Sequence, residues 1–463
     1  MEPLHRLTIV GLGPGDPAHL STGVAELLRS HRVLLRTRHH PVARQFAGSE
    51  RWESCDDLYE TASTFEEVYD RIVARVIDRA REGSLVYAVP GHPLVGEATV
   101  RRLLTDAPAH GISCAIVPGL SFIDAALALL GIDALAANLQ IVDALELASC
   151  AEAAPFGGGS LPLSPLRPAL VGQLYDRILA SAVKLALERL YPADTTVVVI
   201  AAAGTSTAHV ARFPLYELDH RDYDATTALY LPPLDPLDAP VTEALQRVVA
   251  RLRAPDGCPW DREQTHRSLR RHLLEETYEA LEAIDHGDDD ALREELGDVL
   301  LQVLMHAQIA EERGAFVYEE VVGSVIEKLV RRHPHVFGQS RAESASQVLA
   351  RWEQIKAAER AGKPRRHSMV PRTLPALARA QELLERLQRV RPERLDELGA
   401  SAPRSAVDTE RSLLARLVPV LVEAVRLGIN LEFVVRTWSD ELERELVDWS
   451  KEAAHAEEGV RDE

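Results

Sequence analysis

The stretch LLEETYEALEAIDHGDDDALREELGDVLLQVLMHAQIA, residues 273–310, carries two helical patterns separated by a turn. In the first pattern four apolar residues recur at spacings of four, three and three, which predicts an amphipathic helix that packs through this stripe. The stripe consists of Leu274, Tyr278, Leu281 and Ile284. Gly287, within HGDDDA, predicts the turn, and the second helix is expected to begin near Ala291.

Both predicted helices carry carboxylates three residues apart, which places each pair on one helical face. The pairs are Glu276 with Glu279 and Glu295 with Asp298. The sequence VLLQVLMHAQIA, residues 299–310, is apolar nearly all round and predicts burial, so the second pair stands at the mouth of a buried helix. On the pairs alone, a solvated charged face is an equally good interpretation.

Antiparallel packing of the two helices through their short turn would bring the four carboxylates together. Like charges at that distance either take up protons or bind a cation. Oxygen ligands alone favour Mg²⁺, with Mn²⁺ as the alternative, and Mg²⁺ usually shares its coordination shell with substrate phosphates. The pattern therefore predicts a metal site for a nucleoside triphosphate, at which the metal polarises an attacking water.

Cationic residues are expected near such a site, because a triphosphate carries more negative charge than the metal cancels. In KLVRRHPHVFG, Lys328 and Arg332 are four residues apart and share a helical face, and the same spacing relates Trp352 and Lys356 in RWEQIK. An indole offers a stacking surface for a base, and a lysine reaches phosphate. Taken singly, each of these residues is more often an ordinary surface residue.

These motifs resemble the MazG nucleoside triphosphate pyrophosphohydrolase family from Gly257 to Gly338. The resemblance rests on GCPWDREQTH, LLEETYEAL, ELGDVLLQV and KLVRRHPHVFG, in the family's order and spacing. It implies hydrolysis of a nucleoside triphosphate to monophosphate and pyrophosphate, by attack of water on the α-phosphorus. The implied roles are metal ligation by Glu276, Glu279, Glu295 and Asp298, a supporting or water-orienting role for Glu275, and nucleotide binding by Lys328, Arg332, Trp352 and Lys356.

The segment after Pro371 departs from this family pattern. RTLPALARAQELLERL resembles the lead into a second copy of the acidic domain. The following apolar stretch, residues 411–429, lacks an ExxD pair at its start and contains Pro419. We expect this degenerate copy to serve packing or dimerisation and to have no catalytic role.

The first half of the chain has a different pattern, in which short β-branched runs alternate with helical stretches and predict an α/β fold. The runs are LTIV, SLVYAV, CAIV, LQIV, TTVVVIA and ALYL. The Gly/Pro-rich residues 155–168 predict a division into two lobes, and the proline-rich PPLDPLDAP predicts the main boundary. The expected domains are 1–232 (two-lobed α/β), 233–240 (linker), 241–370 (all-α) and 371–463 (degenerate helical segment and tail).

Three glycine loops follow predicted strands, where open α/β sheets bind ligands. They are GLGPGD (11–16), VPGHPLVGEATV (89–100) and VPGLSFIDAALALLGID (117–133). GLGPGD by itself is equally consistent with a plain strand-to-helix turn. Together the loops resemble the tetrapyrrole methylase family, over residues 7–231, which implies S-adenosylmethionine as cofactor and a small-molecule methyl acceptor. The residues expected to bind the cofactor are Gly11, Gly13, Gly15, Gly91, Ser121 and His92, the last standing where active relatives often have an acidic residue.

Composition limits the partners. The 463-residue chain has a formal net charge of -19, which disfavours extended nucleic-acid binding. Its four cysteines form no CxxC pair, and no apolar run reaches the length of a membrane span. We expect a cytoplasmic protein that does not enter membranes, and the apolar second helix favours a homo-oligomer such as a dimer.

The sequence leaves two alternative functions open. In the first, the chain is chiefly a methyltransferase that uses S-adenosylmethionine, and its helices serve oligomerisation. In the second, it is a non-catalytic sensor that retains both folds. The intact carboxylate pairs and the matched cations favour pyrophosphohydrolysis over both.

Overall fold

The computed structural model describes most of the first 338 residues and parts of the remainder. Backbone packing divides the chain into two compact units, Met1–Val322 and Gly323–Glu463, and each is described by itself. The described residues are 5–46, 48–62, 64–152, 161–338, 341, 344, 347–348, 351–352, 355, 359, 371, 374–390, 392–400, 410–432 and 434–435.

The first lobe of Met1–Val322 is built on a parallel five-stranded sheet. Its strands are β1 (His5–Gly11), β2 (Val33–Leu35), β3 (Glu53–Ser54), β4 (Leu85–Val89) and β5 (Ile112–Val117). They lie in the order β3-β2-β4-β1-β5. Three predicted runs form β1, β4 and β5. The sequence did not reveal β2 and β3, because strands of three and two residues are too short to show a period.

Helices cover both faces of this sheet, which explains why its strands are apolar without alternation. The helices of this lobe are α1 (Thr22–Ser30), α2 (Pro41–Gln45), α3 (Asp56–Thr61), α4 (Phe65–Arg81) and α5 (Ala98–Asp106). In β4, Tyr87 belongs to the core cluster under α4 and α5, and its neighbours Val86 and Ala88 belong to the cluster under α1 and α2. Successive residues thus enter opposite cores.

The second lobe has a mixed five-stranded sheet. Its strands are β6 (Gln140–Asp143), β7 (Ala169–Gly172), β8 (Thr196–Ala201), β9 (His209–Pro214) and β10 (Ala228–Leu231), in the order β6-β7-β10-β8-β9. Only the β6–β7 pair is parallel. The accompanying helices are α6 (Phe122–Leu130), α7 (Ala144–Glu152) and α8 (Arg177–Leu187).

The Gly/Pro-rich residues 155–168 do not divide the lobes, so this prediction was wrong. The strand β6 already belongs to the second sheet, and it pairs in parallel with β7 beyond the Gly/Pro stretch. The sheets change between β5 and β6, across α6. Residues 161–168, the described part of this stretch, form a loop of the β6–α7–β7 crossover, and residues 153–160 lie outside the described residues.

The described residues from 242 onward contain helices and loops but no strand. Unit Met1–Val322 includes α9 (Thr242–Arg253), α10 (Pro259–Glu263), α11 (Arg270–His286) and α12 (Asp289–Glu312). After them follow α13 (Tyr318–Arg332) and α14 (Pro334–Phe337). Between β10 and α9 lies PPLDPLDAP, and its role as a domain boundary stays a prediction.

The packed face of α11 differs from the predicted stripe. Leu274, Leu281 and Ile284 are 53%, 38% and 55% exposed, whereas Ala280 and Ala283 are buried. The small residues let α11 lie close against α12. The stripe prediction failed because hydrophobicity alone does not distinguish a face that packs within the chain from one left on its surface.

Burial of the second helix is confirmed. Leu304, Met305 and Ile309 of α12 lie in a core cluster with Val249 of α9 and Leu269. This part of α12 is apolar on all sides because neighbours surround it. The buried second half of α12 therefore holds the first half of the same helix in a fixed position.

Unit Gly323–Glu463 contains a group of three helices, α15 (Ala376–Val390), α16 (Pro392–Ala400) and α17 (Glu410–Leu427). They pack through Leu395, Val422 and Val425. Pro419 lies inside α17. Gln381 is buried and connects α15 to the end of α17, because its side chain donates to Ile429 O at 2.8 Å and accepts from Leu431 N at 3.0 Å.

The predicted fold class, a two-lobed α/β part followed by helices, is confirmed. Within the described residues, none of the helices combines the length and the apolar character that crossing a bilayer requires.

Candidate functional site

The carboxylates of Glu276, Glu295 and Asp298 meet where α11 and α12 run side by side. One carboxylate oxygen from each lies within 4.8 Å of the others, and all three residues are half-buried. Gly287, at φ 67°, ends α11 in the left-handed region, and Asp288 caps α12. This tight turn reverses the chain, so two pairs from separate helices face each other.

Glu279, the fourth predicted ligand, lies at the exposed edge of this group. Its carboxyl group forms a hydrogen bond with that of Glu276 and acts electrostatically on Glu295. We call Glu276, Glu279, Glu295 and Asp298 the acidic cluster. The structure thus gathers three of its members closely and leaves the fourth in contact with one of them.

Proximity changes the electrostatics of the acidic cluster. Burial, the hydrogen bond to Glu279 and repulsion by Asp298 raise the pKa of Glu276. Burial and repulsion by Glu279 and Asp298 raise the pKa of Glu295. Both shifts mean that the ionised cluster is unfavourable without a counter-charge.

Glu275 has its described side-chain contacts within α11. Its carboxylate accepts from Arg271 Nε at 2.6 Å and lies 3.3 Å from His272 Nδ1. These partners occupy the preceding turn of α11. Its predicted supporting role stays a prediction.

The donor set of the acidic cluster fits a hard divalent cation. In the part of the chain that the structure describes, none of the four carboxylates forms an ion pair with a lysine, arginine or histidine. Uncompensated carboxylate oxygens on two rigid helices are the ligands that Mg²⁺ and Mn²⁺ prefer. When bound, such an ion supplies charge neutralisation and polarises a phosphate oxygen or water.

Two of the predicted nucleotide-binding residues meet in unit Gly323–Glu463. The guanidinium carbon of Arg332 lies 5.8 Å from the centre of the Trp352 ring. Arg332 also donates to Glu359 from Nη2 at 2.6 Å and from Nε at 3.3 Å. Hydrogen bonds from Arg332, and from Arg331 beside it, lower the pKa of Glu359 to about 2. The sequence reasoning missed Glu359, which no motif marked.

The remaining predicted cations are less informative. Lys328 is exposed on α13. Lys356 lies outside the described residues.

In the N-terminal lobes, the glycine loops meet through their backbones. Gly13 and Gly91 exchange two hydrogen bonds, N–H to O at 3.2 and 2.8 Å. A Cβ added at Gly11 would lie 2.4 Å from Gly91 O and 2.7 Å from Gly119 N. Gly11 is therefore required for close approach of the loops to each other, and Gly13 and Gly91 adopt positive φ angles of 79° and 63°.

The other predicted cofactor residues have defined local partners. A Cβ at Gly15 would lie 2.8 Å from Thr205 Cγ2 in the second lobe. His92 Nδ1 accepts from Leu94 N at 3.1 Å. The Ser121 hydroxyl caps α6 and donates to Asp124 Oδ2 at 2.9 Å. Cofactor binding by these residues stays a prediction.

The structure adds residues that the sequence reasoning did not name. Gly119 packs against Gly11, and its signal, a glycine after a strand in VPGL, was available in the sequence. Gln173 and Ala202 have φ angles of 64° and 51°, and they directly follow β7 and β8. Positive φ at a residue other than glycine leaves no mark in a sequence, and such strain clusters at ligand sites.

Comparison with family models gives two matches. Residues 264–337 match the MazG nucleotide pyrophosphohydrolase domain. Residues 6–219 match the tetrapyrrole (corrin/porphyrin) methylases. The first match contains the whole acidic cluster, and the second contains the glycine loops.

Known relatives match both parts. The uncharacterized protein YabN of Bacillus subtilis (strain 168) is 39% identical over 384 residues, covering 82% of this chain and 76% of that one. A nucleoside triphosphate pyrophosphohydrolase of Escherichia coli (strain K12) is 41% identical over 221 residues, 44% of this chain and 84% of that one. A nucleoside triphosphate pyrophosphohydrolase/pyrophosphatase MazG of Thermotoga maritima is 51% identical over 149 residues, 32% of this chain and 57% of that one.

These relatives exceed 30% identity, and two of them are covered over more than two thirds of their length. The chain therefore belongs to the MazG nucleotide pyrophosphohydrolase family and carries a tetrapyrrole methylase domain in its N-terminal half.

Proposed function

We propose that the chain hydrolyses nucleoside triphosphates to nucleoside monophosphate and pyrophosphate, with Mg²⁺ or Mn²⁺ held by Glu276, Glu279, Glu295 and Asp298. The observation that carries this proposal is the meeting of three carboxylates within 4.8 Å on helices inside the MazG-matching span. Related proteins named nucleoside triphosphate pyrophosphohydrolases support the reaction class.

In the proposed reaction, a water oxygen forms a bond to the α-phosphorus, and the bond from that phosphorus to the bridging oxygen of the β-phosphate breaks. The electron pair leaves with pyrophosphate. The water loses one proton, which passes to solvent. Lys328, Arg332, Trp352 and Lys356 are proposed to bind the nucleotide, with Glu275 in a supporting role.

The test is incubation of the full chain with a panel of nucleoside triphosphates and Mg²⁺, followed by separation of the products. We expect monophosphate and pyrophosphate in equal amounts. Release of single phosphates would indicate another class of hydrolase and would overturn the proposal.

Variants of the cluster locate the activity. Asp298→Ala and Glu279→Ala are expected to abolish turnover while the fold persists, as judged by circular dichroism. Glu282→Ala, on an exposed position of α11, is the matched control and should retain activity. Full turnover in both cluster variants would refute the site.

We propose as a second function that the glycine loops bind S-adenosylmethionine, whose methyl group passes to a small-molecule acceptor and leaves the demethylated cofactor as product. The paired backbone hydrogen bonds of Gly13 and Gly91, beside the carboxyl ends of parallel strands, support it. Gly11, Gly15, His92 and Ser121 complete the proposed site. Isothermal titration that gives no heat with either S-adenosylmethionine or its demethylated product would remove this function.

The domain division at 233–240, a cytoplasmic location and a homodimer are further parts of the proposal. The exposed apolar residues Leu274, Leu281 and Ile284 on α11 support a subunit interface. If S-adenosylmethionine binds but no triphosphate is cleaved, the alternative applies, in which the chain is a methyltransferase or a sensor with helices for oligomerisation.

A further inference from the structure

Trp260 is a large apolar side chain held in an exposed position near the acidic cluster. It lies in the short helix α10, and 55% of its surface is exposed. Single exposed aromatic residues are common on protein surfaces. Whether Trp260 has a function therefore depends on how rigidly α10 is held and on which residues its side chain contacts.

Arg253, at the end of α9, fixes α10 in place. Its side chain is only 5% exposed, and it pairs with Glu312 of α12, with both Nε and Nη2 at 2.8 Å from the carboxylate. The same guanidinium donates to the carbonyl oxygens of Asp261 and Gln264. A buried charged group thus ties the backbone around Trp260 to the helix that carries half of the acidic cluster.

The connection between α9 and α10 is equally constrained. A Cβ at Gly257 would lie 2.3 Å from Leu252 O, so the turn requires glycine. The next residue, Cys258, donates from its N–H to the same carbonyl at 2.7 Å. An aromatic side chain on a rigid backbone segment loses little conformational freedom when a ligand binds, and this favours ligand affinity.

Trp260 faces the acidic side of α11. Its ring centre lies 6.0 Å from that of His272, and the ring planes are inclined at 70°. His272 precedes Glu276 by four residues and shares its helical face, about 6 Å away along the axis. Glu275, 3.3 Å from His272 Nδ1, holds the imidazole from the side.

The exposed apolar residues of α11 lie on the other side. Leu274 follows His272 by two residues, and Leu281 follows Glu279 by two residues. At about 100° per residue, this offset places the two leucines on the face of α11 opposite His272 and Glu279. Trp260 therefore belongs to the acidic face and is separate from the apolar surface that suits a subunit contact.

We propose that Trp260 and His272 form the wall that receives the nucleobase of the substrate, with the indole as the stacking surface. This rests on the proposed triphosphate hydrolysis. If the phosphates bind at the acidic cluster, the base can extend along α11 toward His272. The Trp260 ring meets the His272 ring at an inclined angle, so one face of the indole stays available for stacking. Stacking accepts every base, so the wall confers affinity for nucleosides with little preference among them.

Trp352 provides the comparison within the same chain. The Arg332 guanidinium lies 5.8 Å from its ring centre, so this indole already contacts a cation. The sequence alone favoured Trp352 as the stacking surface. The proposal assigns that role to Trp260, and the two residues give distinguishable results when each is replaced.

The experiment uses the full chain with Mg²⁺ and compares Trp260→Ala, Trp260→Phe and Trp352→Ala. Two constants are measured: KM for nucleoside triphosphates and Ki for inorganic triphosphate, a competitor without a base. Loss of one stacking contact raises KM about 5- to 150-fold in Trp260→Ala. The Ki of inorganic triphosphate stays unchanged, and Trp260→Phe restores most of the affinity because it restores a ring. His272→Ala shifts KM in the same direction by less.

Other outcomes overturn the proposal in separate ways. An unchanged KM in Trp260→Ala, or a large increase confined to Trp352→Ala, shows that the base binds elsewhere. A parallel rise of KM and Ki, with or without a change of oligomeric state on gel filtration, assigns Trp260 to the scaffold or to a subunit contact. If the unaltered chain cleaves no triphosphate, the proposed function itself fails, and both fall together.

Discussion

The acidic cluster and the glycine loops reach their functional geometry in opposite ways. In the cluster, side chains on two regular helices converge, and their mutual repulsion raises the pKa values of Glu276 and Glu295. In the loops, backbones converge because side chains are missing, as at Gly11, where Gly91 O leaves no space for a Cβ. One site stores electrostatic strain that a ligand can relieve, and the other is close-packed before any ligand arrives.

The largest effect is expected from Glu295→Gln. The substitution preserves shape and removes one charge, so it should lower kcat/KM by about 10³-fold, the equivalent of several kcal/mol of lost metal-dependent stabilisation. Heats of S-adenosylmethionine titration should not change. Glu311→Gln, farther along α12 and exposed, serves as the control. A similar loss in both variants would mean that the effect is not specific to the cluster.

The next effect concerns the loops. Gly11→Ala should lower the free energy of unfolding by about 1–3 kcal/mol or more, because its Cβ overlaps backbone atoms that cannot move easily. Urea denaturation measures it. In Gly23→Ala, in α1, the added Cβ has no atom of the described residues within 4 Å, and the variant should instead gain up to about 1 kcal/mol of unfolding free energy. Equal behaviour of the two variants would contradict close packing of the loops.

A smaller effect sharpens the electrostatic side of the comparison. The pKa of Glu276 is raised above its ordinary 4.5 in the folded chain. The protonated Glu276 side chain therefore stabilises the fold below about pH 4.5, and this stabilisation is lost as the pH rises through the raised pKa. Glu276→Gln without divalent ions should therefore raise the melting temperature at neutral pH. It should also reduce the stabilisation that Mg²⁺ gives to the unaltered chain, measured by calorimetry. A lower melting temperature in the variant would show that the carboxylates do not strain the fold.

The smallest effect is expected at a histidine pair. His266 Nδ1 lies 2.9 Å from His306 Nδ1, so one ring must donate and the other accept. Burial, then repulsion by His266, lowers the pKa of His306 from 6.5. Stability from this pair is thus present above about pH 6.5 and is lost as the pH falls through the lowered value. In His306→Gln the free energy of unfolding, measured by urea denaturation, should fall less between about pH 7 and about pH 5 than in the unaltered chain. An equal fall in both proteins would exclude the histidine pair as the source of this pH dependence.

Prediction succeeded where chemistry repeats along one element. Glu295 and Asp298 share a face because they are three residues apart, and the burial of Leu304 and Ile309 follows from an apolar run. Six strands were found because each contains a short run of apolar residues, whereas the predicted runs did not include β7 or β9, and β9 contains His209 and Arg212. Prediction failed where the partner surface decides, as for Leu274 and Ile284, which form a regular stripe yet lie exposed.

The same limit applies to the sites. Nothing local indicates that Glu359 pairs with Arg332, or that Glu275 contacts Arg271 and His272 rather than the cluster. The positive φ of Gln173 and Ala202 is also invisible in composition. Each of these depends on which residues are brought together by the rest of the fold.

The sequence by itself determined the fold class and the position of each carboxylate pair on one helical face, since these follow from periodicity and spacing, and its motifs carried the resemblance to the two families. Only the tertiary structure decided that three carboxylates meet while Glu279 stays at the edge, that Gly11 packs against Gly119, and that Trp260 faces His272. The reason is physical: a helix fixes the direction of its own side chains, whereas distances between elements depend on packing contributed by the whole chain.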